Sequence, residues 1–159
     1  MAMFEVRRTG GDLQRISREL RKIDDKELKK RFRQQLRATA APLVPVVRAS
    51  IRSTPSSRPY TPAGLRGRLS KATRIEVKTV GRDAQVSIRV DGRKMPAHQK
   101  ALPKGMEGKK RWRHPVYGHR GNWVTQPARP YFFHVVRPAG VAARVAAQRV
   151  VRSITRDIK

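Results

Sequence analysis

Residues 73–90 read TRIEVKTVGRDAQVSIRV, and this stretch decides the fold class. Thr73, Ile75, Val77 and Thr79 alternate with Arg74, Glu76 and Lys78, and Val86, Ile88 and Val90 alternate with Ser87 and Arg89. A strand sends successive side chains to opposite faces, so period-two alternation marks a half-buried strand. Gly81-Arg82-Asp83 supplies the turn, and the stretch predicts an antiparallel hairpin. Helical patterns lie on both sides of it. The expected fold is therefore α+β: a long helical arm, a small antiparallel sheet, a long basic loop and a C-terminal amphipathic helix, all in one domain over residues 1–159.

Upstream, residues 12–52 form the helical arm. Leu13, Ile16, Leu20 and Ile23 recur at three- and four-residue steps on one face, with Asp12 as the expected N-cap. Asp24 is placed to cap a second helix, with Glu27 at the capping-box position. That helix carries Leu28, Phe32, Leu36, Ala40, Leu43, Val47 and Ile51 in one stripe. Pro42 and Pro45 fall inside it, and an interior proline costs about 3 kcal/mol, so a kink or a break is expected. The stripe keeps its phase past both prolines, which favours a kink. Residues 53–72 begin with STPSSRPYTPAGLRGR and read as a Pro/Ser/Gly loop, exposed, mobile or pinned by a neighbour.

Downstream, residues 91–113 show no clean period and read as an extended basic loop. Residues 111–117 and 122–126 read as two short strands, with His119-Arg120-Gly121 turning between them. The last helix spans 131–158, starting at Tyr131 or at Pro138. Phe133, Val136, Ala143, Ala147, Val150, Val151, Ile154 and Ile158 share one side, and Arg137, Arg144, Arg152 and Arg156 the other.

Charge is the strongest compositional signal. The chain has 38 Lys and Arg against 11 Asp and Glu, a formal net charge of +27. Its distribution is uneven. Residues 1–27 hold seven basic and six acidic side chains, whereas 28–75 hold twelve basic and no acidic ones. Residues 76–91 balance at three against three, and 92–159 hold sixteen basic residues against Glu107 and Asp157 alone. A solvated, salt-bridged surface mixes signs. Segments of one sign point instead to a polyanion or to acidic protein nearby.

Other classes recede. There is no cysteine, which excludes disulfides and thiolate zinc sites. No apolar run reaches the roughly 18 residues of a membrane span, and the opening MAMFEVRRTG lacks an apolar signal region, so neither a membrane nor a secretion route is expected. His98, His114, His119 and His134 have no carboxylate at an orienting spacing, and the paired Asp24-Asp25 is explained by a helix cap. Hydrolytic chemistry needs carboxylates for acid, base or metal work, so no enzyme activity, metal or cofactor is expected. Nor is there an RNP1-like motif, zinc-finger spacing or basic zipper, which argues against sequence-specific recognition.

The residues expected to meet DNA or acidic protein are Lys94, Lys100, Lys104, Lys109, Lys110, Arg111 and Arg113, interleaved with Gly and Pro, together with Arg137, Arg144, Arg152 and Arg156. Such a segment can follow a phosphate backbone without reading bases. Trp112, Tyr117 and Trp123 have the chemistry to stack on bases, although aromatics in short strands more often build core.

Residues 111–139, RWRHPVYGHRGNWVTQPARPYFFHVVRPA, resemble the neck or tail-completion components of long-tailed phages, the group that includes the minor tail protein Z of phage lambda. The resemblance rests on His114, Pro115, Tyr117 and Gly118, followed by the Ala128-Arg129-Pro130-Tyr131-Phe132 segment that opens a C-terminal helix. Residues 60–69, YTPAGLRGRL, are similar to a loop of that group, with Ala63 in place of its threonine. The resemblance implies an α+β subunit of a closed ring between connector and tail. Its implied partners are further copies of itself, connector or stopper, tail-terminator or tail-tube proteins, and packaged double-stranded DNA. Its implied place is the virion neck, after synthesis in the bacterial cytoplasm. Trp123, His114, Tyr117, Arg129, Pro130, Tyr131 and Phe132 are then expected in subunit packing. The alternative, on charge alone, is a free ribosomal or nucleoid-like protein that binds nucleic acid without sequence preference.

Overall fold

The computed structural model describes residues 2–8, 11–22, 25–56, 58–79, 85–108, 110–116 and 119–158. The fold is α+β, as the sequence predicts. Strand β1 (Ala2–Arg8) is followed by helices α1 (Gly11–Lys22), α2 (Lys26–Ala40), α3 (Leu43–Ser53) and α4 (Leu65–Ala72). Strands β2 (Thr73–Lys78) and β3 (Gln85–Asp91) come next, then α5 (Leu102–Glu107), strands β4 (Arg111–Val116) and β5 (His119–Pro127), and helix α6 (Phe133–Ile158).

The expected hairpin is present, with Ile75 opposite Ile88 and Val77 opposite Val86. Its turn, Gly81-Arg82-Asp83, lies outside the described residues. The sheet is larger than expected, because β1 adds to the other edge of β3 in the order β1-β3-β2. The central strand is flanked on both edges, and β3 is buried along almost its whole length. Val86, Ile88 and Val90 face the helices; Ser87, Arg89 and Asp91 point the other way and have polar partners. Asp91 holds Arg93 at 3.1 Å and Arg74 at 2.9 Å, and Arg89 pairs with Glu76.

The helical stripe is real. Phe32, Leu36, Ala40, Val47 and Ile51 are all buried, with Leu28 and Leu43 partly so, and Ile16 and Leu20 of α1 join the same core. Full burial of each large side chain contributes about 1.5–3 kcal/mol. Leu13 and Ile23, expected on this face, have side chains outside the described residues, as does Asp24. The cap of α2 is Asp25, not Asp24, with its carboxylate accepting the Leu28 N–H at 2.8 Å. Helix α1 begins at Gly11, one residue before Asp12, and the side chain of that expected cap lies outside the described residues.

The prolines divide the arm in a specific way. Ala41 and Pro42 both keep right-handed helical backbone angles, so the axis carries on while the hydrogen-bond ladder is interrupted. With α3 restarting at Leu43, Pro42 is its N-cap and Pro45 lies in its first turn. Those positions have no intrahelical acceptor for an N–H, so neither proline forfeits a bond within α3. This is why the apolar stripe survives them.

Two expected loops are shorter than the sequence suggests. The Pro/Ser/Gly segment ends at Gly64, because residues 65–72 form α4. It is pinned from within: the Arg66 guanidinium donates to the carbonyls of Arg52, Thr54 and Arg58 at 3.1, 3.0 and 2.8 Å. Gly67 permits this fold-back, since a Cβ there would lie 2.2 Å from the Pro62 carbonyl oxygen. The basic segment is no extended loop either. Two single 3-10 turns (Gly92–Lys94 and Ala97–Gln99) lead into α5, and Met95 and Pro103 are buried.

Candidate functional site: a basic face and the capped last helix

The segment that carries the resemblance is held by an unexpected residue. Glu107, at the end of α5, turns its carboxylate onto the start of α6. Oε2 accepts the backbone N–H groups of Tyr131 and Phe132 at 2.8 and 3.0 Å, and Oε1 accepts that of Phe133 at 2.8 Å. The first turn of a helix leaves its N–H groups without backbone acceptors and carries partial positive charge. One buried carboxylate here satisfies three successive N–H groups, at and just before that first turn. The neighbouring backbone is tied in as well, with Arg129 N–H donating to the Met106 carbonyl at 2.8 Å and Ala128 N–H to that of Lys110 at 3.1 Å. Tyr131 is buried beside this carboxylate, and burial first, then the Glu107 charge, push its phenol pKa upward.

The chain thus begins α6 at Phe133, between the two starts that the sequence allowed, and Pro138 sits exposed inside it. Tyr131 and Phe132, expected in subunit packing, lie wholly within this chain's own core. Arg129 and Pro130 beside them are exposed. The stripe of α6 is largely as read: Val136, Val151 and Ile154 are buried, and Phe133, Ala147 and Val150 pack partly against the core. The Ile158 side chain lies outside the described residues. Arg137, Arg144, Arg152 and Arg156 are all exposed, with Arg137 over the Phe133 ring at 5.3 Å.

Strands β4 and β5 form a separate two-stranded sheet, with His114 opposite Val124 and Pro115 opposite Trp123. His119, Arg120 and Gly121 are not the turn, because β5 already starts at His119. The register jumps between Pro115 and Val116, so residues 120–122 bulge from β5, and Trp123 Nε1 donates to the Arg120 carbonyl within that bulge at 2.7 Å. Every residue of β5 except Gln126 is exposed. Trp123, at 47% exposure, is no core aromatic, and the Arg113 guanidinium lies over its ring at 5.3 Å. The inner end is anchored differently. Trp112 stacks on His114 at 4.6 Å between centroids and lies against α5 so closely that a Cβ on Gly105 would meet its ring at 2.2 Å.

The basic side chains expected at the site are on the surface. Lys94, Lys100 and Lys104 are exposed on the short turns and α5, and Lys110, Arg111 and Arg113 are exposed at the base of the hairpin. Lys109 and Tyr117 lie outside the described residues. Sequence reading missed Glu107, whose partners are backbone groups 24 to 26 residues away. It also missed the apolar pair Val141 and Val145, one helical turn apart on the exposed side of α6. Among the described residues no helix is long and apolar enough to cross a membrane.

No family model, no curated protein and no solved structure matches the chain.

Proposed function

We propose that this chain is a non-catalytic structural subunit of the head–tail junction of a tailed phage, working in a ring that joins connector to tail. The observation that carries the reading is the β4–β5 hairpin. It stands out from the core with β5 almost wholly exposed and is basic along both strands, through Arg111, Arg113 and Arg120. Only its inner end is anchored, through Trp112 against α5, and a two-stranded hairpin without further cover is at best marginally stable in water, so its outer part is read as a surface that another molecule covers. The resemblance of the Ala128-Arg129-Pro130-Tyr131-Phe132 segment agrees, since that segment opens the last helix next to the hairpin's root. Lys104 of α5 and the arginine row of α6 then meet packaged DNA or acidic patches on adjoining rings.

The test is direct. In the genome that carries the gene, portal, connector and tail-tube genes are expected on either side, and the protein is expected in purified virions. Its removal should leave DNA-filled heads and separate tails. Ribosomal or nucleoid genes as neighbours, with the protein absent from virions, overturn the proposal.

One observation favours a second reading, a free nucleic-acid-binding protein: the exposed arginine row of α6 has no carboxylate among it until Asp157. That protein would bind DNA as a monomer or dimer with a steep salt slope, without ring assembly.

A further inference from the structure

We infer that the chain carries a built docking cleft for an extended acidic peptide segment of a partner protein. The cleft has a volume of about 870 Å³ and lies where the loop after α3 faces α5 and the exit of β5. Four guanidinium groups border it, those of Arg58, Arg66, Arg68 and Arg129, and no carboxylate is among the described residues that line it. The two segments that carry the phage resemblance, residues 60–69 and 111–139, thus meet across this one space.

Two of the arginines are fixed without being neutralised. Arg66 is oriented by three backbone carbonyls, as described above. Arg68 donates to Gln99 Oε1 from Nε at 3.2 Å and from Nη2 at 2.6 Å, and also to the Ala63 carbonyl. All of these acceptors are uncharged. The positive charge is therefore held in place with its counter-charge still to come, the arrangement that recognises a carboxylate with little ordering cost.

The walls decide between kinds of polyanion. Pro55, Pro59, Leu65, Met106 and Pro127 give the cleft an apolar lining between its arginines. No aromatic ring is among the described residues that line it, and the neighbouring Tyr60 ring is already under Arg66 at 5.8 Å, whereas single-stranded nucleic acid is held chiefly by stacking on aromatic platforms. A chain that alternates carboxylates with aliphatic side chains matches both features. The inference stands on the cleft alone and holds whether or not the protein works in a phage neck.

The experiment measures fluorescence polarisation of a short labelled peptide of alternating glutamate and leucine, at about 150 mM salt so that diffuse attraction is screened. Arg68→Gln with Arg129→Gln should weaken binding about tenfold, the loss of roughly 1.4 kcal/mol. Arg18→Gln with Arg37→Gln removes the same charge from exposed positions on α1 and α2, and should change it less than about twofold. Should the Arg68 substitution unfold the loop, Arg129→Gln alone, at an exposed residue, should still weaken binding about threefold. An all-glutamate peptide should bind more weakly than the glutamate–leucine one. Equal weakening by both double variants, equal affinity for the two peptides, or a larger cleft dependence for oligothymidylate of matched charge each overturns the inference.

Discussion

Glu107 and Tyr131 are joined by a 2.8 Å hydrogen bond from the Tyr131 backbone N–H to the Glu107 carboxylate, across 24 residues of chain. Because the same carboxylate also serves Phe132 and Phe133, it couples α5, the hairpin between them and the last helix. Glu107→Ala leaves buried donors without an acceptor and should destabilise the protein by about 3 kcal/mol. Glu107→Gln keeps an oxygen and should cost about 1 kcal/mol. Urea unfolding followed by circular dichroism checks both, and equal stability of Glu107→Ala and the parent would remove this residue from the account.

Gly105 gives the second prediction. A Cβ there would meet the Trp112 ring at 2.2 Å, so Gly105→Ala must push the inner end of β4 away from α5. A loss of about 1–3 kcal/mol is expected. Hydrogen exchange should speed up across residues 111–127 more than in the three-stranded sheet. Uniform change over the whole chain would show that the two sheets are not separately anchored.

Acid stability should report on Asp91. Its carboxyl pKa falls from 3.8 to about 2, first through the side-chain hydrogen bond from Arg93, with help from the Arg93 N–H and the Arg74 charge outweighing burial. Glu76 is also held low: burial pushes it up, but the Arg89 hydrogen bond and the charges of Arg89, Lys78 and Arg74 prevail. A depressed folded-state value stabilises fully above the ordinary value and loses its contribution as pH falls toward 2. Asp91→Asn should therefore cost about 1–2 kcal/mol at neutral pH and flatten the decline between pH 4 and pH 2. A variant that keeps the parent's acid limb would contradict this.

Trp123 separates folding from assembly. Its ring is 47% exposed and its hydrogen bond is local, so Trp123→Ala should shift unfolding by less than about 0.5 kcal/mol. Under the proposed function it should nevertheless impair head–tail joining, scored as free tails in lysates. Normal particle yield from a stably folded variant would remove the hairpin tip from the interface.

Salt dependence tests the basic turns. Neutralising Lys94, Lys100 and Lys104 to Gln should lower the slope of log affinity for duplex DNA against log salt by about 0.9 for each phosphate that is no longer neutralised. An unchanged slope would show that these exposed lysines do not touch the backbone.

What could be read from the chain beforehand depended on repetition. The stripe from Phe32 to Ile51 and the alternation from Thr73 to Val90 each span several periods, so packing has one consistent way to use them. Strand β1 opens on an apolar run, Ala2-Met3-Phe4, that breaks the alternation and leaves only Val6 between polar residues, and its partner β3 lies far along the chain. Helices α4 and α5, with eight and six residues, are too short to show a face. Glu107 carried one weak cue, an acid among sixteen basic residues in 92–159, but its partners are backbone groups, which leave no spacing signature. Arg66 and Arg68 read as loop residues because their acceptors are carbonyls and a glutamine, invisible to any pattern of charges.

The pairing of β1 with β3 also constrains how the protein is made. Ala2 is opposite Asp91, so β1 leaves the ribosome well before the strand that it pairs with. At about 5–20 residues per second, that interval lasts roughly 5–18 s. Throughout it the helical arm also lacks α6, against which α1, α2 and α3 all pack, and the sheet stays incomplete. Synthesis of the second half sets the moment at which this protein becomes a folded object.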